Sequence, residues 1–235
     1  MNSTLHSACI GIPHLSAACR HSMFTLFDEY FCNSTTQTFE RDLHNKHWAI
    51  LLRDETEQLQ GFSTFALYQT EQDGSPISVV CSGDTIVRPA FWGTPELPRS
   101  WIQNVLRLSK AMPQPLYWLL ISSGYKTYRF LSVFYCQFYP RHNAPTPQPL
   151  QSLMHQLAYA RFGEHYKPQT GLVQFAQGKT PLREGIAITT DERLRDPHVR
   201  FFVQRNPGHA QGDELVCLTR IAQDNFTAAG RRMAR

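Results

Sequence analysis

The segment that most restricts the fold is Leu116-Tyr-Trp-Leu-Leu-Ile121, six uncharged residues entered after Pro113 and Pro115 and left through Ser122-Ser-Gly124. So short and apolar a run reads as a strand buried on both faces. The segment before it, residues 99–112, places Trp101, Ile102, Val105, Leu106 and Leu108 on one side of a helix, which Pro113 and Pro115 stop. That helix in turn follows a strand. A strand, a helix and a second strand buried on both faces form a crossover, and a crossover makes its two strands parallel.

Upstream, Lys46-His-Trp-Ala-Ile-Leu-Leu-Arg53, Leu59-Gln-Gly-Phe-Ser-Thr-Phe-Ala-Leu-Tyr68 and Ile77-Ser-Val-Val-Cys-Ser82 are separated by an acidic turn and by Asp73-Gly-Ser-Pro76. Three strands with short connections make an antiparallel meander. Combined with the crossover, it predicts a mixed, mostly antiparallel sheet covered by helices, an α+β (αβα layered) domain. A helix with an aromatic face is predicted over 15–31 and a shorter one from Thr36 or Thr38 to just before Asn45. A further helix is expected over 125–139, with Phe130, Phe134, Tyr135, Phe138 and Tyr139 at helical spacing, and another over 150–166. Val199-Arg-Phe-Phe-Val-Gln204 and Glu214-Leu-Val-Cys-Leu-Thr-Arg220 read as a closing hairpin. The expected organisation is an N-terminal extension (1–15), a single domain (16–225) with a helical and loop insertion at about 143–195, and a basic tail (226–235) whose last residues, 230–235, are expected to fray.

The net charge of +4 hides a gradient. Residues 1–85 carry 4 basic and 10 acidic side chains, a net −6, whereas residues 86–235 carry 19 and 9, a net +10. A field of one sign concentrates ligands of the other, so the second part is expected to meet an anion: a phosphate-bearing cofactor, an acidic carrier protein or nucleic acid. No apolar run approaches the roughly 18 residues of a membrane span. The six cysteines include no C-x-x-C pair and the histidines are scattered, so no metal site is predicted and a reducing, cytoplasmic setting is expected.

Two short helices, a meander, a loop into a helix, a buried strand, a helix and a closing hairpin resemble the element order of the GNAT (Gcn5-related N-acetyltransferase) superfamily over residues 16–221. In that superfamily the fourth strand leads into a glycine-rich loop whose N–H groups cradle a pyrophosphate, and Thr85-Ile-Val-Arg-Pro-Ala-Phe-Trp-Gly93 resembles the start of that passage. Here Thr94-Pro-Glu-Leu-Pro98 follows, and its two prolines remove two N–H donors. The resemblance therefore implies phosphate contacts from Arg88, Gly93 and Arg99, with Val87 and Ser122 at the ends of the two diverging strands that would pair with pantetheine. Gly124-Tyr-Lys-Thr-Tyr-Arg-Phe-Leu131 stands where the superfamily has a tyrosine that protonates the departing thiolate, which makes Tyr125 and Tyr128 the candidates. The chain is also weakly similar to acyltransferases of the long-chain N-acyl amino acid synthase type.

Acyl transfer to an amine needs a neutral nucleophile, a positioned thioester and an acid for the sulfur. Asp84, in Ser82-Gly-Asp-Thr85, is the candidate base. Each assignment has a plainer reading. Asp84 suits a turn, Arg88 a surface charge, Ser122 or Ser123 a helix cap, and the two tyrosines a core. The expected function is acyl transfer from a pantetheine thioester, carried by coenzyme A or by acyl carrier protein, to an amine. The rival is a GNAT-shaped binding module without catalysis, for an acidic protein partner before nucleic acid, since no nucleic-acid motif of defined spacing is present.

Overall fold

Both the meander and the crossover are present in the computed structural model, which describes residues 4–175, 181–183 and 189–235. In chain order the elements are β1 (His6–Gly11), α1 (Ala17–Tyr30), α2 (Thr36–His44), β2 (Trp48–Arg53), β3 (Leu59–Gln72), β4 (Ser75–Val87), α3 (Glu96–Ala111), β5 (Leu116–Ser122) and α4 (Tyr125–Phe134). There follow β6 (Phe138–Tyr139), α5 (Gln148–Phe162), β7 (Tyr166–Lys167), β8 (Leu172–Val173), α6 (Asp191–Leu194), α7 (Pro197–Arg205), β9 (Glu214–Arg220) and α8 (Ala228–Met233). Among the described residues they form one sheet in the order β1-β2-β3-β4-β5-β9-β8-β7, with β6 added on β9. Only β4 and β5 run parallel; every other pairing is antiparallel.

Alternation along the strands sorts the apolar side chains into two layers. Ala49, Leu51, Phe62 and Ile86 meet Met23, Phe27, Phe39 and Leu43 of α1 and α2, and Val79, Leu119 and Val216 meet Leu153 and Leu157 of α5. On the opposite face Ile50, Phe65, Val80, Trp118 and Cys217 pack on Trp101 and Val105 of α3, Tyr128 and Leu131 of α4, and Phe202 of α7. Helices thus cover both faces of the mixed sheet, the αβα arrangement expected from the sequence.

Four local expectations differ from the structure. Residues 6–11, read as part of an extension, form the edge strand β1, in register with β2 from His6 opposite Arg53 to Gly11 opposite Trp48. Residues 199–204 are helical, not the first arm of a hairpin. The Asp196 carboxylate accepts the His198 N–H at 2.9 Å, Pro197 occupies the first turn, and Val199 and Phe202 are buried one turn apart. The strand partners of β9 are accordingly β5, β6 and β8.

Helix α4 stops at Phe134, five residues early, because Asn225 offers the chain better partners. Its backbone carbonyl accepts from Cys136 N–H at 2.8 Å, its side-chain carbonyl accepts from Gln137 N–H at 2.8 Å, and its amide donates to Gln137 O at 3.0 Å. The C-terminal residues, expected to fray, are packed: Phe226 and Gly230 are buried, and Thr227 caps α8. Within the insertion expected at about 143–195, residues 176–180 and 184–188 lie outside the described residues.

Candidate active site

Strands β4 and β5 are paired from Ser78–Leu116 to Cys81–Leu119 and then part. Beyond that point β5 stays with β9 as far as Ser122 opposite Leu215, and β4 stays with β3 as far as Val87 opposite Gly61. The edge of β4 from Ser82 to Val87 is left open toward β5. Two features drive the parting. A bulge between Ser63 and Phe65 of β3 shifts the register opposite Gly83 and Asp84, and a bulge bends and twists its strand. The Trp118 indole stands at the fork, its N–H donating to Ser82 Oγ at 2.9 Å.

A cavity of about 620 Å³ occupies the fork and opens on both faces of the sheet. On the α2/α5 face it is lined by Asp42, Lys46, Asp84 and Glu214, with Arg41 and Arg161 at the rim; on the α3/α4 face it is lined by Trp92, Leu97, Trp101, Trp118, Tyr125 and Lys126. One end is charged and the other aromatic.

The charged end gathers Asp42, Asp84 and Glu214 around the Lys46 ammonium. The buried Lys46 ammonium lies 2.7 Å from Asp42 Oδ2 and reaches over Gly83, where a Cβ would overlap the lysine side chain and the Thr64 hydroxyl. Glycine at 83 is therefore what lets the ammonium sit beside Asp84. Loss of water around it, with the charge of Asp42 added, pushes the Asp84 carboxyl up to about 6, and Lys46 opposes the shift. Glu214, at the start of β9, is pushed up to about 8 by the same desolvation first and by Asp84 and Asp42 next. At neutral pH the cluster thus holds an ionised Asp84 beside a largely protonated Glu214.

Glu214 and Lys46 carried no weight in the sequence reading. The available signals were a lone acid opening an otherwise apolar strand and a lysine placed i+4 from Asp42 at the end of a helix.

The other sequence-predicted residues divide. Tyr125 is buried at the cavity wall, and its hydroxyl makes no hydrogen bond among the described residues. Tyr128 lies in the core, not on the cavity wall: its hydroxyl donates to Pro140 O at 2.9 Å, and its ring sits among Phe138, Phe201 and Phe202. Val87 and Ser122 both line the cavity, and Ser122 Oγ donates to Gly124 O at 2.7 Å.

Arg88 points away. Both its terminal nitrogens hold Glu29 of α1, at 2.6 and 2.7 Å, and it does not line the cavity. Arg99 lies 3.7 Å from Glu96, also off the cavity, and Gly93, with φ of 91°, faces open space. The loop after β4 instead contributes Trp92, whose indole N–H donates to Val87 O at 2.7 Å.

A meander, one parallel crossover pair that splays after four residues, and an antiparallel strand closing against β5 reproduce the architecture named from the sequence. The fold is GNAT-like. No protein-family model matches the chain, and no curated protein matches it.

Solved structures similar to it include a probable N-acyltransferase of Enterococcus faecalis, at 15% identity over 58% of this chain and 33% of that one, with a TM-score of 0.45. A GNAT family N-acetyltransferase of Escherichia coli in complex with CoA is 13% identical over 54% of this chain and 68% of that one, with a TM-score of 0.38. The N-myristoyltransferase of Saccharomyces cerevisiae with bound myristoyl-CoA is 18% identical over 50% and 31%, with a TM-score of 0.40. The chain spans about a third of the length of the first and third of these.

Proposed function

We propose that the protein transfers an acyl group from a pantetheine thioester to an amine. The observation that carries this reading is the open edge of β4 between Ser82 and Val87, set over a cavity with carboxylates at one end and the Tyr125 phenol at the other. Unpaired strand N–H and C=O groups are a template for another amide-bearing chain, and the two amides of a pantetheine arm fit that edge. The arm enters from the aromatic face and sets its thioester near the fork.

The amine approaches from the carboxylate face. An ammonium is attracted to Asp84, which is ionised at neutral pH and takes its proton directly or through one water. The neutral amine attacks the thioester carbonyl, and an N–H of the open β4 edge stabilises the developing oxyanion. As the carbon–sulfur bond breaks, the Tyr125 hydroxyl gives its proton to the thiolate, and the proton that the amine nitrogen sheds on becoming the amide returns to the phenolate through water. Aromatic side chains around the donor entrance suit an acyl group longer than acetyl, and the net positive second part of the chain suits a phosphate-bearing donor, coenzyme A or an acyl carrier protein.

The test is thiol release from acetyl-, octanoyl- and palmitoyl-CoA, and from acylated carrier protein, against a panel of amines. Amine-dependent release, reduced about 100-fold or more in Asp84→Asn with the fold retained, is the expected result. Folded protein that binds no donor and releases no thiol sinks the proposal.

A further inference from the structure

With Arg88 and Arg99 off the cavity, no cationic side chain of the β4–α3 loop lines the donor entrance. We propose that Lys126, resting on the face of Trp92 across the cavity mouth, binds the phosphate of the donor's phosphopantetheine arm. The inference rests on the pantetheine-thioester reading above and assigns a part of that site which the loop arginines do not fill.

Four observations converge on Lys126. Its ammonium lies 2.8 Å from the centre of the Trp92 ring, and Trp92 is anchored to the last carbonyl of β4, Val87 O. Lys126 belongs to the first turn of α4, directly after β5, so the contact spans the gap between the two splayed strands at its outer end. Among the described residues it is the one cationic side chain lining the aromatic half of the cavity, because Arg41, Lys46 and Arg161 belong to the carboxylate half.

It also has no carboxylate partner among the described residues, whereas Arg88 and Arg99 have Glu29 and Glu96. The loop itself offers little: Pro95 and Pro98 lack N–H groups, and Gly93 turns to open space.

The chemistry favours exchange of partners. A ring face satisfies an ammonium only partly, while a phosphate oxygen gives it a charge-assisted hydrogen bond. Partial burial, and then the nearby Arg193, push the Lys126 ammonium down to about 8, a shift that a bound phosphate anion opposes. The phosphate therefore meets the Lys126 ammonium, and the freed Trp92 face becomes available to whatever the phosphate carries.

Titration of the wild-type chain with coenzyme A, 4′-phosphopantetheine, pantetheine and holo-acyl carrier protein, followed by tryptophan emission and calorimetry, tests the assignment. The phosphate-bearing ligands are expected to bind at least about tenfold tighter than pantetheine. Lys126→Gln is expected to erase that difference while leaving pantetheine affinity unchanged, Lys126→Arg to keep it, and Arg88→Ala to keep it. Trp92 emission is expected to change on binding as the ammonium leaves the ring, and the change to vanish in Trp92→Phe.

A Lys126→Gln variant that still prefers phosphate-bearing ligands as strongly as wild type overturns the assignment, as does a wild type that does not discriminate. Folded wild type that binds none of the four overturns the donor reading itself. Tighter binding of the carrier protein than of coenzyme A, or the reverse, identifies the source of the phosphate.

Discussion

Arg88 and Glu29, 59 residues apart, form a two-point ion pair with nitrogen–oxygen distances of 2.6 and 2.7 Å that ties the end of β4 to α1. A guanidinium engaged on both nitrogens by one carboxylate has little left for a phosphate. Both side chains remain more than a third exposed, so water screens the pair and its worth is about 0.5–1 kcal/mol. Arg88→Ala is thus expected to lower the melting temperature by about 1–3 °C and to leave donor affinity as it was. A tenfold loss of coenzyme A affinity, measured by calorimetry, overturns this division of labour.

The two tyrosines at the start of α4 are predicted to separate cleanly. Tyr125 lines the cavity and its hydroxyl has no hydrogen-bond partner among the described residues, whereas Tyr128 donates to Pro140 O from the core. Tyr125→Phe should lower kcat by about 10- to 100-fold with unchanged stability, by loss of the acid that meets the thiolate. Tyr128→Phe should cost about 1–2 kcal/mol of stability, because a buried carbonyl loses its partner, and leave kcat within about twofold. Urea unfolding and single-turnover thiol release, run side by side, check both.

What the sequence made legible follows from how local each cause is. The crossover was readable because a run apolar on both faces, a helix with one apolar stripe and two stopping prolines are each local patterns. The end of α4 was not, since the decision rests with Asn225, nearly 90 residues away, which draws residues 136 and 137 off the helix. Helix α7 was misread although Asp196-Pro197 is a helix-start pair, because Val199, Phe202 and Val203 also suit a strand.

For the site, Asp84, proposed from its turn, and Tyr125, proposed from the position the resemblance gives it, both line the cavity. Glu214 and Lys46 become visible only when β9 and the end of α2 meet across the fork, and the engagement of Arg88 depends on where α1 lands.

The carboxylate pair predicts an unusual dependence of stability on pH. In the unfolded chain Asp84 and Glu214 titrate near about 4; in the folded protein they are raised to about 6 and about 8. The folded state therefore binds more protons than the unfolded state between about pH 4 and pH 8. The stability these groups contribute is complete below about pH 4 and is lost as pH rises through the folded values. Urea unfolding should show a fall of at least about 1 kcal/mol between pH 5 and pH 8.5 that Glu214→Gln largely removes. A wild-type curve as flat as that of Glu214→Gln would falsify the coupling. Glu214 is protonated where Asp84 titrates, so in the same variant the acidic limb of kcat/KM should stay near pH 6.

The C-terminal residues supply the remaining prediction. Phe226 is fully buried, its ring centre 5.1 Å from that of Tyr135, and Asn225 before it holds the chain after α4. The basic residues beyond it ride on a short helix whose Gly230 packs against Phe226 and the Phe134 carbonyl so closely that a Cβ has no room. This end of the chain closes the layer that contains Trp101, Trp118 and Tyr128, and so supports the aromatic half of the cavity from behind. Phe226→Ala should cost about 3–5 kcal/mol, a large share of the roughly 5–15 kcal/mol that holds a domain folded. Arg232→Ala, one turn away and exposed, should change stability by less than about 0.5 kcal/mol. Urea midpoints at constant slope compare the two. If both variants unfold with the wild type, the segment is a dispensable tail; if Phe226→Ala alone fails, residues 225–233 are part of the core that shapes the donor entrance.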